Sequence, residues 1–179
     1  EESQKERLMK LKANKEAFLA AVGVVAGAVS SRATLPILSN ILIETTGKNQ
    51  IKITGTDLEI GIVCQIPIDV LEEGCVTVPA KKLYDIVREL SQGDFEFMGA
   101  KNNTITFKND KSHFKIMGLP KEEFPQLPVF KDKDAITVEQ PALRDMMNMT
   151  DFAISRDDSR YILTGILINI KSDNITLVA

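Results

Sequence analysis

An α+β fold is predicted for this chain of 179 residues, and the prediction rests on two observations. Segments whose apolar residues recur at helical spacing alternate with segments that have the period-two pattern of half-buried strands. The order strand, helix, strands then recurs along the chain, which is typical of a protein built from repeated units. We therefore expect antiparallel sheets that carry a few helices.

The composition is that of an ordinary globular protein, with 44% hydrophobic and 26% charged residues. The formal net charge of −3 gives no reason to expect nucleic-acid binding, which a basic excess usually accompanies. The two cysteines make no disulfide scaffold. The longest apolar run, Ala17 to Val29, is shorter than the roughly 20 residues that cross a bilayer. We expect a cytoplasmic protein without a membrane segment.

The first helix is predicted over Lys15 to Ser31, with Asn14 as its N-cap. Residues 1–8 have no apolar period and are interpreted as a frayed tail or a cloning remnant, before a patterned segment that opens at Met9. The apolar face of the helix comprises Phe18, Val22, Val25 and Val29. A second face of small residues indicates a close neighbour, most simply a sheet packed against the helix. Its members are Ala20, Gly23, Gly27 and Ala28.

Strands are predicted over Ile37 to Thr45 and over Ile51 to Thr54, on either side of a turn at 47–50. The clearest period-two signal follows them, because alternate residues are apolar while the residues between them are polar. The apolar face consists of Ile60, Ile62, Cys64, Ile66 and Ile68.

A second helix is predicted to begin near Pro79, and its apolar stripe is Leu83, Val87 and Leu90. Three short strands then end at Met117. The segment from Leu119 to Pro128 contains three prolines, which exclude a regular element and favour a linker.

The pattern then starts again. Leu11 to Leu19 resembles Ile136 to Arg144 at a shift of 125 residues, and the same shift places Ile41-Leu42-Ile43 on Ile166-Leu167-Ile168. A weaker echo at a shift of 60 residues relates the segment around Val76 to the one around Ile136. We infer a unit of strand, helix and strands that is used twice per domain, in a domain that is itself repeated.

The second copy stops at Ala179, inside the counterpart of a strand, and an interrupted sheet favours the interpretation that this sequence is a fragment. The expected organisation is a tail over residues 1–8, a complete first domain over residues 9–130 and the first half of a second domain over residues 131–179.

Several blocks, in unbroken order from Met9 onwards, resemble one family. They are Arg32-Ala33-Thr34-Leu35-Pro36-Ile37-Leu38-Ser39-Asn40, Thr54-Gly55-Thr56-Asp57-Leu58-Glu59, Val78-Pro79-Ala80-Lys81-Lys82, Gly118-Leu119-Pro120 through Phe124-Pro125, and Ser159-Arg160-Tyr161-Ile162-Leu163-Thr164-Gly165. The chain resembles the bacterial sliding clamp, the β subunit of the replicative DNA polymerase. The resemblance implies a clamp fold in which the helices lie on one face of the sheets.

The resemblance also implies a function. A clamp subunit is similar to three tandem copies of one domain, and two subunits close head to tail into a homodimeric ring around double-stranded DNA. Such a ring is a non-catalytic processivity factor without a cofactor or a metal, and it tethers the replicative polymerase. The polymerase and the clamp loader bind it through short linear peptides. A fragment without the third domain is expected to form no ring and to bind such peptides poorly.

Four residues are expected to contact DNA if the resemblance holds: Arg32, Tyr161, Lys81 and Arg88. Contacts with phosphate do not read sequence, which suits a protein that slides. Each residue also has an ordinary structural explanation. Arg32 suits the carboxyl end of a helix, Tyr161 suits a half-buried strand, and the two cations of the second helix suit a solvated face. Ile162 and Asp157 depart from some relatives and put the strength of the Tyr161 contact in doubt.

Another four residues match a subunit interface in the family: Lys82, Ile86, Phe114 and Ile116. Lys82 and Ile86 lie one helical turn apart, away from the core stripe of the second helix. Phe114 and Ile116 are equally suited to an ordinary core. Leu163 matches one wall of the pocket that receives the partner peptides.

An enzyme is disfavoured by the residues themselves. His113 is the single histidine and has no nucleophile motif around it, and Cys64 lies in the apolar stripe of a strand. With Cys75 these residues lack the spacing of a zinc site. Asp57 and Glu59, two residues apart on a predicted strand, have no phosphate loop beside them. The alternative to a clamp is a repeat-built interaction scaffold with no role on DNA.

Overall fold

The computed structural model describes residues 7–29, 35–109, 112–128 and 136–179. The chain divides into two compact units, Glu1–Pro128 and Val129–Ala179, and each is described by itself. Among the described residues, no helix is both long and apolar enough to cross a membrane.

The first compact unit contains the predicted succession of strand, helix and strands twice. Its antiparallel sheets with two helices confirm the predicted α+β class. The elements are β1 (Arg7–Asn14), α1 (Lys15–Ala26), β2 (Asn40–Thr45), β3 (Gln50–Thr56), β4 (Gly61–Pro67), β5 (Asp69–Glu72), β6 (Cys75–Pro79), α2 (Ala80–Glu89), β7 (Asp94–Ala100), β8 (Thr104–Lys108) and β9 (His113–Met117). The strand β1 begins at Arg7, inside the segment expected to be a tail.

Two antiparallel sheets form the frame of the first unit. One has the strand order β5-β1-β7-β8-β9 and the other the order β4-β3-β2-β6. Both sheets and both helices contribute to one buried cluster, in which four phenylalanine rings contact one another. They are Phe18, Phe95, Phe97 and Phe107.

Helix α1 lies directly on strand β3. A Cβ atom added at Gly55 would be 2.7 Å from Cγ1 of Val25 and 2.8 Å from its carbonyl oxygen. A glycine is therefore required for the helix backbone to come this close. The sheet predicted to pack against the small residues of the helix is not the neighbour of Gly23. A Cβ atom added there would lie 3.3 Å from the ring of Tyr84 on α2.

The predicted carboxyl end of the first helix is wrong. Asn14 caps the helix as expected, with its side chain accepting hydrogen bonds from the N–H groups of Glu16 and Ala17. The α-helix ends at Ala26, and the next three N–H groups bond to carbonyls only three residues back, as in a tightened 3-10 turn. Phe18, Val22 and Val25 are buried, as the apolar pattern predicts.

The strand predicted from Ile37 also begins too early. Residues Pro36–Ser39 form a 3-10 helix, because Pro36 has a φ suited to a helical first position and the hydroxyl of Ser39 donates to its carbonyl oxygen at 2.7 Å. Ile37 and Leu38 are the buried residues of this 3-10 helix, and the strand β2 starts only at Asn40.

The apolar face predicted from the period-two pattern is confirmed from Ile62 to Ile68, but the prediction is wrong for Ile60. Residues 57–60 form a tight turn, in which the side chain of Asp57 accepts hydrogen bonds from the N–H groups of Glu59 and Ile60. Leu58 adopts a φ of 82° there. Ile60 is consequently exposed, and Asp57 and Glu59 do not form the predicted strand pair.

The segment predicted to be a linker packs onto the first unit. Lys121–Glu123 form a single 3-10 turn, and Phe124 is buried with Ile37 and Leu38. A Cβ at Gly61 would be 2.9 Å from the side chain of Leu127. The prolines prevent a longer element but not ordered packing.

The second unit repeats the helix and the antiparallel hairpin that follow β1 in the first, whereas residues 136–139 before its helix form no strand. Its elements are α3 (Gln140–Asn148), a short 3-10 turn at Asp151–Ala153, a kinked 3-10 segment at Asp158–Thr164, β10 (Leu167–Ile170) and β11 (Ile175–Val178). Helix α3 begins 125 residues after α1, which is the shift that the sequence pattern indicates. The two strands pair antiparallel as a hairpin.

Candidate nucleic-acid interface

The basic residues of α2 have two different environments. Lys81 and Lys82 lie in its first turn and are exposed, and within the described part of the chain neither ammonium group has a carboxylate partner. No side chain caps this helix at Pro79, so the partial positive charge of the helix N-terminus adds to theirs. This end of α2 is therefore the electropositive one.

Arg88, in the last turn of α2, lies beside two carboxylates. Its Nη2 atom lies 3.5 Å from Oδ1 of Asp85, and its Nε atom donates to Oε1 of Glu89 at 3.3 Å. The guanidinium carbon is also 5.9 Å from the centre of the Tyr84 ring. An anion approaching Arg88 would have to compete with two carboxylates.

A cleft of about 470 Å³ opens where α1 ends and α2 begins. Ala26, Val29, Pro79 and Tyr84 line it, and so do the two lysines of the first turn. Its lining is mostly apolar, so it has no built anion site. Arg32, expected to contact DNA, lies outside the described residues.

The candidate subunit-interface residues lie at one edge of the first unit. Strand β9 is the last strand of its sheet, and Phe114 and Ile116 pair with Phe107 and Ile105 of β8. Ile116 is half-buried against the core, whereas Phe114 is 37% exposed. Neither residue is fully buried, as an ordinary core residue would be.

Lys82 and Ile86 of α2 differ in exposure. Ile86 packs partly against the same core as Ile116, and the side chain of Lys82 is exposed. The two residues are one turn apart on the helix, as the sequence indicates.

In the second unit, the two candidate residues lie in the kinked 3-10 segment rather than in a strand. Tyr161 is 84% exposed and Leu163 is 54% exposed. The alternative of a half-buried strand tyrosine is therefore wrong for Tyr161. The carbonyl of Leu163 accepts a hydrogen bond of 2.7 Å from the N–H of Ser155, which fixes the backbone beside it.

Asp157 begins this segment and acts as its cap. Its carboxylate accepts a hydrogen bond from the N–H of Ser159 at 3.0 Å. Hydrogen bonds from the side chain and the backbone of Ser159 lower the pKa of this carboxyl group. Asp157 therefore stabilises the local turn, and its carboxylate is occupied by hydrogen bonds from Ser159.

The residues considered for an enzyme do not come together. Within the described ranges, no cluster of three histidine, cysteine or acidic side chains is arranged to hold a metal ion. Cys75 is half-buried beside Glu44, and burial raises the pKa of its thiol to about 11. Such a thiol is a poor nucleophile at neutral pH.

Two family models match the chain in consecutive order. The model of the DNA polymerase III beta subunit, N-terminal domain, matches residues 9–128. The model of the central domain of that subunit matches residues 137–179. The chain belongs to the DNA polymerase III beta subunit family. This membership confirms the family resemblance that the sequence blocks predicted.

Curated relatives of this chain are named as beta sliding clamps. The protein from Chlamydia muridarum is 32% identical over 154 residues, which cover 86% of this chain and 42% of the relative. The protein from Pseudomonas aeruginosa is 34% identical over 166 residues, which cover 92% of this chain and 45% of the relative. The chain thus spans less than half the length of these relatives.

The clamp fold is confirmed by a solved structure. The DNA polymerase sliding clamp from Bacillus subtilis has a TM-score of 0.89 and is 28% identical, over 95% of this chain and 47% of that chain. The chain therefore has the clamp fold that the resemblance implies.

Sequence reasoning missed two features of this chain. It placed His113 on the last strand of the first domain and weighed it for catalysis, but it missed that this strand forms the edge of its sheet, as the register of β8 and β9 and the strand order show. It also missed the ion pairs of Arg88, although the spacing of Asp85 and Arg88 on a helix is a recognisable signal for such a pair.

Proposed function

We propose that this chain acts in a processivity clamp, a ring of two subunits joined head to tail that encircles double-stranded DNA and tethers the replicative polymerase in the cytoplasm. The clamp catalyses no reaction itself and needs no cofactor. The observation that carries the proposal is the match of two consecutive beta-subunit domain models along a chain with the clamp fold.

Lys81 is the strongest DNA contact that the geometry supports. It is exposed at the electropositive end of α2, and no carboxylate among the described residues competes for it. Arg32 is proposed on the sequence match alone, and Tyr161 is supported by its exposure. Arg88 is the weakest of the four, because Asp85 and Glu89 already hold its guanidinium.

The subunit contact is assigned to the β9 edge, through Phe114 and Ile116 together with Lys82 and Ile86 of α2. An open strand edge with a partly exposed aromatic residue supports this assignment. Leu163 is proposed as part of the peptide pocket for the polymerase and the clamp loader, and its exposure is compatible with that role.

The domain organisation completes the proposal. We assign the segment that starts with strand β1 at Arg7 and runs to residue 130 to the first clamp domain, and residues 131–179 to part of the second. The separation of the two compact units at Pro128 and Val129 supports a boundary in this region.

The experiment that tests the proposal is retention on DNA. The complete protein is loaded onto a nicked circular plasmid by its clamp loader, washed at high salt and then treated with an enzyme that linearises the plasmid. A ring stays on circular DNA and slides off linear DNA, because encirclement does not depend on ionic contacts. Release from circular DNA by salt alone would contradict the clamp and favour a scaffold without a DNA role.

A further inference from the structure

The 3-10 turn before β2 in the first unit has a counterpart in the second unit. The hydroxyl of Ser39 donates a hydrogen bond of 2.7 Å to the carbonyl oxygen of Pro36, and the hydroxyl of Thr164 donates one of 2.7 Å to that of Tyr161. Thr164 and Tyr161 follow Ser39 and Pro36 at the repeat shift of 125 residues. The two turns therefore share a hydrogen bond as well as a place in the repeat.

Leu38 and Leu163 occupy the same position in these two turns, one residue before the hydroxyl donor. Their environments differ, because Leu38 is 4% exposed and Leu163 is 54% exposed. The proposed function assigns Leu163 to the pocket that receives partner peptides. The equivalent position in the first unit is a site that another side chain already fills.

The side chain that fills this site comes from the proline-rich segment, residues 118–128, which we call the strap. Phe124 of the strap is buried together with Ile37 and Leu38, and Leu42 packs against the same cluster. We call the surface formed by Ile37, Leu38 and Leu42 the Leu38 site. This cluster is distinct from the main core of the first unit, as is typical of apolar contacts beneath a loop.

The strap is fastened to the sheets at its first two residues. Gly118 and Leu119 form hydrogen bonds with the turn before β8 and with β6. The N–H of Phe124 instead bonds to the carbonyl of Lys121, inside the strap. In the part of the chain that the structure describes, residues 125–128 form no backbone hydrogen bond with the sheets. Phe124 can therefore leave the Leu38 site without breaking a strand ladder.

A groove remains beside the seated phenylalanine. It has a volume of about 340 Å³, and its lining includes Leu42, Thr54 and Val63 from strands β2 to β4 and Phe124 and Leu127 from the strap. Binding sites for small ligands and side chains are typically concave and mostly apolar. Two apolar residues at the spacing of Phe124 and Leu127 thus find both an anchor point and a groove.

We propose that the Leu38 site is a second copy of the peptide pocket, and that the strap occupies it as a ligand supplied by the chain itself, with Phe124 as the anchor. The inference rests on the proposed function, which assigns Leu163 to the peptide pocket. The seated strap closes the site to partner peptides. When the Phe124 side chain is removed, the site takes a separate peptide of the same chemistry, an aromatic residue followed three positions later by a second apolar residue, as in Phe124 and Leu127.

The test offers the strap to the protein as a separate peptide. A labelled peptide with the sequence of Leu119–Pro128 is titrated into the 179-residue chain and into its Phe124→Ala variant, and binding is followed by fluorescence anisotropy. In the parent the seated strap competes with the peptide, and the apparent affinity is reduced in proportion to the fraction of open sites. We therefore expect Phe124→Ala to bind the peptide at least about tenfold more tightly than the parent.

Two controls separate an anchor from a general loosening of the strap. Leu127→Ala removes a strap side chain that packs on Gly61 rather than on Leu38, so this variant should bind the peptide as weakly as the parent does. A peptide with alanine at the position of Phe124 should not bind to Phe124→Ala. Methyl NMR locates the peptide, because the signals of Ile37 and Leu38 should shift when the peptide is added to Phe124→Ala.

Phe124→Leu keeps the test decisive if the alanine variant does not fold, because leucine retains much of the buried apolar surface. It should bind the peptide more tightly than the parent, by a smaller factor than the alanine variant. Equal binding to the parent and the folded variant, no binding to the folded variant, binding that does not need the phenylalanine of the peptide, or methyl shifts confined to other residues would each overturn the inference.

Failure of this inference is distinguishable from failure of the proposed function. If the peptide does not bind to Phe124→Ala while the complete protein is retained on circular DNA, the clamp stands and Phe124 is a packing residue only. If the peptide binds as expected but the complete protein is not retained, the Leu38 site stands as a peptide site without the ring.

Discussion

The hydroxyl group of Thr77 donates a hydrogen bond of 2.5 Å to the carbonyl oxygen of Leu119 and accepts one of 3.0 Å from the N–H of the same residue. The side chain of Asn40 also donates to this hydroxyl, at 3.3 Å. Gly118 precedes the contact, and a Cβ there would be 2.0 Å from the carbonyl oxygen of Thr77. These contacts hold the proline-rich segment against strand β6, where the sequence predicts only a linker.

Removing the Thr77 hydroxyl should therefore destabilise the first unit. Thr77→Val keeps the shape of the side chain but leaves both backbone groups of Leu119 and the amide of Asn40 without this partner. We expect a loss of about 1–3 kcal/mol in the free energy of unfolding, measured by urea denaturation. Thr106→Val is the matched control, because Thr106 is also a buried strand threonine and its hydroxyl forms no side-chain hydrogen bond like that of Thr77 with any other residue in the described part of the chain. Equal losses in both variants would contradict the anchoring role.

Gly55→Ala should destabilise the protein, whereas Gly23→Ala should not. The new methyl group at Gly55 would overlap with Val25 of α1 and force the helix away from β3, at a cost of about 1–3 kcal/mol. At Gly23 the methyl group meets only the edge of the Tyr84 ring, and alanine favours the helix by up to about 1 kcal/mol. Thermal melting of the two variants measures the contrast, and a similar loss in both would show that α1 is not seated as described.

Lys81→Ala and Arg88→Ala should differ in their effect on DNA binding, if the proposed function holds. Each phosphate contact that is lost lowers the slope of log affinity against log salt concentration by about 0.9. We expect that reduction for Lys81→Ala and a smaller one for Arg88→Ala, because Asp85 and Glu89 already pair with Arg88. The measurement is a salt titration of DNA binding by the complete protein, with melting temperatures as a check of folding. A larger effect at Arg88 would reverse the ranking.

The turn at Asp57 should make stability sensitive to acid. Hydrogen bonds from the N–H groups of Ile60 and Glu59 lower the pKa of the Asp57 carboxyl group in the folded protein. Because the pKa is lower in the folded state, the stabilisation is fully present above the unfolded value of about 3.9 and is lost as the pH falls through the lowered pKa.

Asp57→Asn tests this linkage. Its amide oxygen still accepts the two bonds, so the variant should show less loss of stability than the parent between about pH 4 and pH 2. Urea unfolding midpoints over this range provide the comparison. Unchanged acid sensitivity in the variant would contradict a role for the Asp57 charge.

The repeat and the helical stripes were predictable because both depend on residue order. Phe18, Val22 and Val25 are buried as their spacing requires, and α3 begins at the repeat shift. The boundaries were less predictable. A 3-10 helix at Pro36–Ser39 and a strand have similar apolar runs, and only the packing of Ile37 and Leu38 against Phe124 distinguishes them.

For this chain, residue order alone determined the α+β class, the repeated unit and the family, because these follow from periodicity and from blocks of residues in a set sequence. Only the tertiary structure decided which distant residues hold one another. The hydroxyl of Thr77 bonds to Leu119, 42 residues away along the chain, and Gly55 of β3 leaves room for the backbone of α1. Hydrogen bonds and close packing depend on distance in space, and the distance between residues far apart in sequence is set only once the chain has folded.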